Sequence, residues 1–218
     1  MRKPVLDAQL APAKQIDDAL SDRVHAAVTN LIKSQQLHGG DIIVESRLAD
    51  MLGVSRTPLR EALQKLEGEG LLVKNGRSFV VRAVGLAEYL QSLKVREILE
   101  GEAAQLSAGR VPATAIRTVR QNIDTLLSAP VYLPEAHWQS DDEVHGLACD
   151  HCGNPVLGQM IRHLRMVTRL YETLNLADRL VPDATEHLEM IDALESGDGK
   201  LARQKAQGHL RSLYKASI

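Results

Sequence analysis

The chain is short of the features that would mark a secreted, membrane-bound or redox protein. Its 218 residues include only two cysteines, Cys149 and Cys152. They form a CxxC with no second pair to complete a zinc site and no surrounding βαβ pattern, so they read as two small residues closing a helix before Gly153. No N-terminal charged-plus-apolar segment resembles a signal peptide, and no apolar run approaches the roughly 20 residues needed to span a bilayer. These absences predict a cytoplasmic protein with no membrane partner. An excess of positive charge is missing too. Lys and Arg number 26 against 28 Asp and Glu, a formal net charge of −2, which excludes a generally basic nucleic-acid coat but leaves room for a local one. Neither an internal repeat nor a low-complexity tract is present.

What the chain does have is concentrated in residues 44–81, VESRLADMLGVSRTPLREALQKLEGEGLLVKNGRSFVV. Leu48, Ala49 and Leu52 form one apolar stripe, Gly53-Val54-Ser55 a turn, and Leu59, Ala62, Leu63 and Leu66 a second stripe at helical spacing. Ser55 or Thr57 can cap the second helix, and Pro58 sits in its first turn, where a missing N–H costs nothing. Arg56, Thr57 and Arg60 then project from the N-terminal end, the part of a recognition helix that reaches base edges. Two β-rich runs, Leu71 to Lys74 and Arg77 to Val81, flank Asn75-Gly76, the dipeptide suited to both centres of a type I′ turn, which predicts a hairpin with Arg77 at its tip. Residues 45–82 hold seven Lys/Arg against five Asp/Glu, so the positive residues gather where the motif needs them. The alternative is that these arginines are ordinary solvated surface charges.

The stretch LADMLGVSRTPLREALQKLEGEGL resembles the DNA-binding domain of the GntR superfamily of bacterial transcription regulators. The resemblance implies a winged helix-turn-helix that contacts double-stranded operator DNA through Arg47, Ser55, Arg56, Thr57, Arg60 and Arg77. Two departures stand out. The family often has arginine directly after the glutamate at Glu45, where this chain has Ser46 and then Arg47, and its wing often reads Gly-Arg-Gly, where Ser78 follows Gly76-Arg77 here.

Around this motif, residues 1–17 read as a flexible arm, with two prolines and no sustained apolar stripe. Ser21 can cap a first helix that carries Val24, Val28, Leu31 and Ile32 on one side, and residues 18–83 form the DNA-binding domain. After the wing β signals disappear. Six helical segments are expected at about 86–109, 112–128, 134–151, 155–178, 182–196 and 199–216, broken by Val111-Pro112, Ala129-Pro130, Gly153-Asn154-Pro155, Val181-Pro182 and Gly197-Asp198-Gly199. The fold class is mainly α: a winged helix-turn-helix with a small hairpin wing, then an all-α six-helix bundle over residues 86–218.

The bundle contains a second constellation. Asp141 and His145, four apart, share a helix face, and His187 and His209 each lie 11 residues from Asp198, so an antiparallel hairpin brings them to one height. One carboxylate and three imidazoles could converge on a divalent cation, with Zn²⁺ first among Zn²⁺, Ni²⁺, Mn²⁺ and Fe²⁺. Satisfied core histidines are the alternative. Residues 86–216 resemble the FCD effector domain of the FadR subfamily, nearer its shorter VanR-like group, and in metal-binding FCD domains an Asp-x3-His with two later histidines maps onto Asp141, His145, His187 and His209. Asp142 is a possible substitute for Asp141. Arg96 resembles the first-helix arginine that binds effector carboxylates; a planar guanidinium suits that role, as it suits a salt bridge with Glu100 one turn later. Arg165 is a weaker effector candidate, beside Arg169, and His137, His151 and His163 receive no role.

These readings predict a homodimeric, metabolite-responsive transcription regulator, a repressor that binds a palindromic operator and senses a small organic acid or sugar acid in a metal-containing pocket. The competing prediction is a metal-dependent enzyme in which Asp141 and the histidines activate water, with Glu186 as base.

Overall fold

The computed structural model describes residues 12–34, 36–171 and 176–218. The chain divides into two compact units: one takes the residues up to Ile32 together with Gly40–Arg82, the other Lys33–Gly39 and Ala83–Ile218.

In the first unit, α1 (Pro12–Lys33) leads through β1 (Ile42–Ile43), α2 (Glu45–Leu52) and α3 (Arg56–Gly68) to a hairpin of β2 (Leu72–Asn75) and β3 (Ser78–Val81). Only residues 1–11 of the expected arm lie outside the described residues. Positions 12–17 are helix, because Pro12 at the first helical position sacrifices no hydrogen bond and the following residues are adequate helix formers. Ser21 is therefore no cap but a buried position within α1, on the face of Val24, Val28 and Ile32. Gly53 ends α2 in the left-handed region at φ 65°, where a side chain would be strained, and its N–H bonds back into the helix. Leu59, Leu63 and Leu66 of α3 are fully buried. His25 to Glu69 and Lys65 to Asp22 tie α1 to the far end of α3.

The wing differs from its expected register by one residue. Asn75 pairs with Ser78, so the two-residue turn is Gly76-Arg77, with Gly76 at φ 63°, and Asn75 closes the strand. Glycine takes the first turn position because it meets no steric penalty there. A third strand, β1, was not expected. It pairs antiparallel with β3, giving the order β1-β3-β2, and two residues are too short to leave a period in the sequence.

The second unit is all helix: α4 (Leu86–Ser107), α5 (Ala113–Ser128), α6 (Pro134–His151), α7 (Pro155–Arg169), α8 (Leu176–Ser196) and α9 (Gly199–Ala216). Helix α4 packs chiefly against α9, where a Cβ on Gly199 would lie 2.9 Å from the Gln105 carbonyl oxygen. The core joins Ala103, Ile123, Val144, Ile161, Ile191 and Ala206 from all six helices. Asn154 and Asp198 cap α7 and α9, and the Asp198 side chain accepts from the N–H groups of Lys200 and Leu201 at 3.0 Å. The fourth and fifth segments depart from expectation. Helix α7 ends at Arg169, and α8 starts at Leu176 and runs through Pro182. A proline there removes one backbone bond, a cost that burial of Ala184, Met190, Ile191, Ala193 and Leu194 on the same helix outweighs.

Candidate DNA interface and metal centre

On the first unit, Ser55 occupies the N-cap position of α3 in extended conformation, but neither it nor Thr57 makes a capping side-chain bond, so the cap expected of one or the other is not formed. That leaves Ser55, Arg56 and Thr57 exposed at the start of α3, with Pro58 and Leu59 buried behind them. Arg60 is exposed, and its Nε donates to Glu45 at 2.6 Å, which braces α3 against α2. Arg47 on α2 and Arg77 at the hairpin tip are exposed as well. This surface offers cations and free backbone donors at a helix N-terminus, the chemistry that suits phosphate and base edges.

In the helical unit, α6 supplies Asp141 and His145, α8 His187 and α9 His209. One ligand atom from each lies within 4.8 Å of the others. The three imidazoles are almost wholly buried, with ring centroids 4.7 to 5.3 Å apart. Their Nε2 atoms have no hydrogen-bond partner, and Asp141 Oδ1 stands 3.4 Å from His145 Nε2 and 3.5 Å from that of His187. Satisfied core histidines would not leave three buried ring nitrogens without partners around one carboxylate oxygen. The residues fit a divalent cation with mixed nitrogen and oxygen ligation.

The opposite ring nitrogens are held from behind. His209 Nδ1 lies 2.8 Å from Glu186 Oε2, and His145 Nδ1 lies against Glu100 Oε2, the carboxylate-histidine arrangement that orients metal ligands. Burial works against ionisation of Glu100, yet Arg96 and His145 outweigh it and keep the carboxyl well below its usual range. Burial, then the neighbouring His209, pushes His187 well below the ordinary imidazole value, so it offers a neutral ring. His145 shifts upward despite burial and Arg165, because Glu100 and Asp141 favour its charged form.

Asp142 is not one of the converging group. Its Oδ1 takes Arg165 at 2.8 Å and Arg169 at 3.1 Å, which sets aside its substitution for Asp141. Arg165 also donates to Asp141 Oδ2 at 2.6 Å. It neutralises the two carboxylates and does not line the cavity beside them, so the geometry does not support it as an effector contact. Arg96 does line that cavity while its Nε donates to Glu100 at 2.6 Å and another guanidinium nitrogen donates to Thr168 at 2.9 Å. The salt bridge with Glu100 is formed, and Arg96 borders the cavity as well. Glu186, engaged by His209 and Arg179, orients an imidazole and is not free to serve as a base for water.

The cavity holds about 700 Å³, and Asp141 links it to the four-residue cluster. Its wall contains residues that sequence reasoning missed: Tyr89, His137, Trp138, Tyr171, Arg179 and Asp183. A signal existed for two of them, since Arg179, Asp183 and His187 fall at successive i,i+4 positions; the expected break at Pro182 hid it.

A winged helix-turn-helix joined in one chain to an all-helical unit with an internal cavity is the architecture of a DNA-binding regulator. The comparisons make this specific. Residues 20–81 match the family described as bacterial regulatory proteins, gntR family, and residues 91–212 match the FCD domain, so the chain belongs to the GntR regulators that carry an FCD domain. These are transcription regulators, not enzymes. An "Uncharacterized HTH-type transcriptional regulator in unstable DNA locus" from Streptomyces ambofaciens is 30% identical over 203 residues, covering 88% of this chain and 82% of its own. A "Probable D-xylose utilization operon transcriptional repressor" from Paenarthrobacter nicotinovorans is 25% identical over 211 residues, covering 91% and 88%. The solved structure of E. coli McbR/YncC has the same fold, with a TM-score of 0.77 at 20% identity over 91% of this chain and 96% of that one. Among the described residues, no helix is long and apolar enough to cross a membrane.

Proposed function

We propose that the protein is a cytoplasmic, homodimeric repressor whose hold on a palindromic operator changes when a small carboxylate enters its helical domain. Arg56, Thr57 and Arg60 read base edges, while Arg47, Ser55 and Arg77 contact backbone or minor groove. Asp141, His145, His187 and His209 hold one divalent cation per chain, Zn²⁺ first, and a bound cation would supply a Lewis-acidic contact for an oxygen of the effector. Arg96 engages the carboxylate. The effector is an organic acid or sugar acid, and the name of the Paenarthrobacter relative supports a catabolic operon as target.

The observation that carries this reading is the set of three buried, unpartnered Nε2 atoms around Asp141, which with Arg96 lines the neighbouring cavity. Elemental analysis of the purified protein tests it: about one divalent metal per chain is expected, with most of it lost in His187→Ala and in His209→Ala. Stoichiometric metal in the His187→Ala, His209→Ala double variant would rule the site out.

A further inference from the structure

Two of the three imidazoles are backed in the same way. Glu100, 3% exposed, presents Oε2 to His145 Nδ1 and accepts at Oε1 from Arg96 Nε at 2.6 Å. Glu186 Oε2 lies 2.8 Å from His209 Nδ1, and the same oxygen accepts from Arg179 at 3.2 Å. Arg96 and Arg179 line the large cavity, whereas Glu100 and Glu186 do not. Each series of side chains therefore runs from the cavity to a ring of the converging group: Arg96, Glu100 and His145 in one case, Arg179, Glu186 and His209 in the other. The first is built from α4 and α6 and the second from α8 and α9, so the repetition is not the trace of one helix's spacing.

We propose that Arg96 and Arg179 are positioning residues that tie metal affinity to the charge in the cavity, acting through Glu100 and Glu186 on His145 and His209. The inference rests on the reading above that Asp141 and the three histidines hold a divalent cation. A carboxylate that accepts from one imidazole N–H makes the opposite ring nitrogen a stronger donor to a metal. A guanidinium bonded to the same carboxylate draws on its negative charge and weakens that effect, the more so in a buried setting where bonded groups polarise one another. An anion in the cavity engages the guanidinium from the other side and relieves the draw, so the metal is held more firmly without the anion having to touch it. Simple structural pairing predicts otherwise, because loss of either the arginine or the glutamate would then loosen the ring and weaken the metal. The relay predicts opposite signs for the two residues.

The test is the Zn²⁺ affinity of the full-length protein, measured by competition with a chelator and with no other ligand added, on variants whose metal-free melting temperature matches that of the parent. Glu100→Gln and Glu186→Gln should each weaken Zn²⁺ binding by about 10–100-fold. Arg96→Gln and Arg179→Gln should each tighten it by roughly threefold or more, and that gain should vanish when Arg96→Gln is combined with Glu100→Gln, or Arg179→Gln with Glu186→Gln. A gain that persists in the double variants would be a through-space effect of the lost charge and would overturn the relay, as would arginine variants that weaken Zn²⁺ binding or leave it unchanged. The second relay is partly exposed, at 19% for the Arg179 side chain and 26% for that of Glu186, so its variants decide the matter if those at the buried Arg96 and Glu100 do not fold. A parent protein that binds no Zn²⁺ would remove the metal reading itself, and the relay with it.

Discussion

Asp141 divides its two carboxylate oxygens between different partners. Oδ1 faces the imidazoles of His145 and His187, and Oδ2 accepts from Arg165 at 2.6 Å and Arg169 at 3.2 Å. Asp141→Asn keeps the shape but removes the charge from both sides at once. It should lower metal content and, by leaving two buried guanidinium groups short of a partner, destabilise the domain by about 3–5 kcal/mol, read as a fall in denaturation midpoint. Asp142→Asn, which is more exposed and outside the converging group, should retain more metal. The residues proposed to read DNA make a separate prediction: Arg56→Ala and Arg60→Ala should each cost about 1–3 kcal/mol of operator affinity. Full affinity in the double variant would sink that assignment, and Arg60 in addition must give up Glu45 to reach a base. The cysteines serve neither purpose. Burial, then the Glu100 carboxylate, pushes the Cys149 thiol up to about 11, so alkylation of the folded protein at neutral pH should be slow until denaturant is added.

At the scale of elements, what the sequence made legible was what repeats or what is locally forced. The stripes of α2 and α3, the Gly53 turn and the breaks at Gly153-Asn154-Pro155 and Gly197-Asp198-Gly199 carry short-range signals, and each lies where those signals place it; that Asn154 and Asp198 cap the helices that follow was not read. The GntR and FCD resemblances hold as well. Elements decided by distant contacts were illegible. Strand β1 exists because β3 offers an edge, and α8 passes through Pro182 because its buried face lies against other helices. The spacing of His187 and His209 about Asp198 did indicate their meeting, whereas the cavity walls depended on where α8 begins. Close helix contact supplies a further prediction. A Cβ on Gly158 would lie 2.8 Å from the Cys149 carbonyl oxygen, so Gly158→Ala should force α6 and α7 apart and cost about 1–3 kcal/mol in a denaturation midpoint measurement.

For the whole molecule as proposed, a ligand at the helical domain changes operator affinity only by its preference for one arrangement of the protein over another, and a coupling of about 1–3 kcal/mol is expected. Operator titrations with effector should lose that shift after chelation or in Arg96→Ala, with effector-free binding largely intact; a shift that survives both would locate sensing elsewhere. Footprints should show two half-sites separated by about one helical turn or a multiple of it. The ion pairs around the candidate metal centre bear on how a metal and an anionic ligand would act on each other there. Glu100, Asp141 and Asp142 are met by Arg96, Arg165, Arg169 and Lys33, so each negative group already has a positive one beside it. Their negative charge is therefore offset before any cation arrives. A divalent ion brings two charges that these pairs do not offset, and unmatched charge in a desolvated setting is costly. An entering anion restores neutrality, so metal and metabolite act as counterions to each other, and each should lengthen the other's stay.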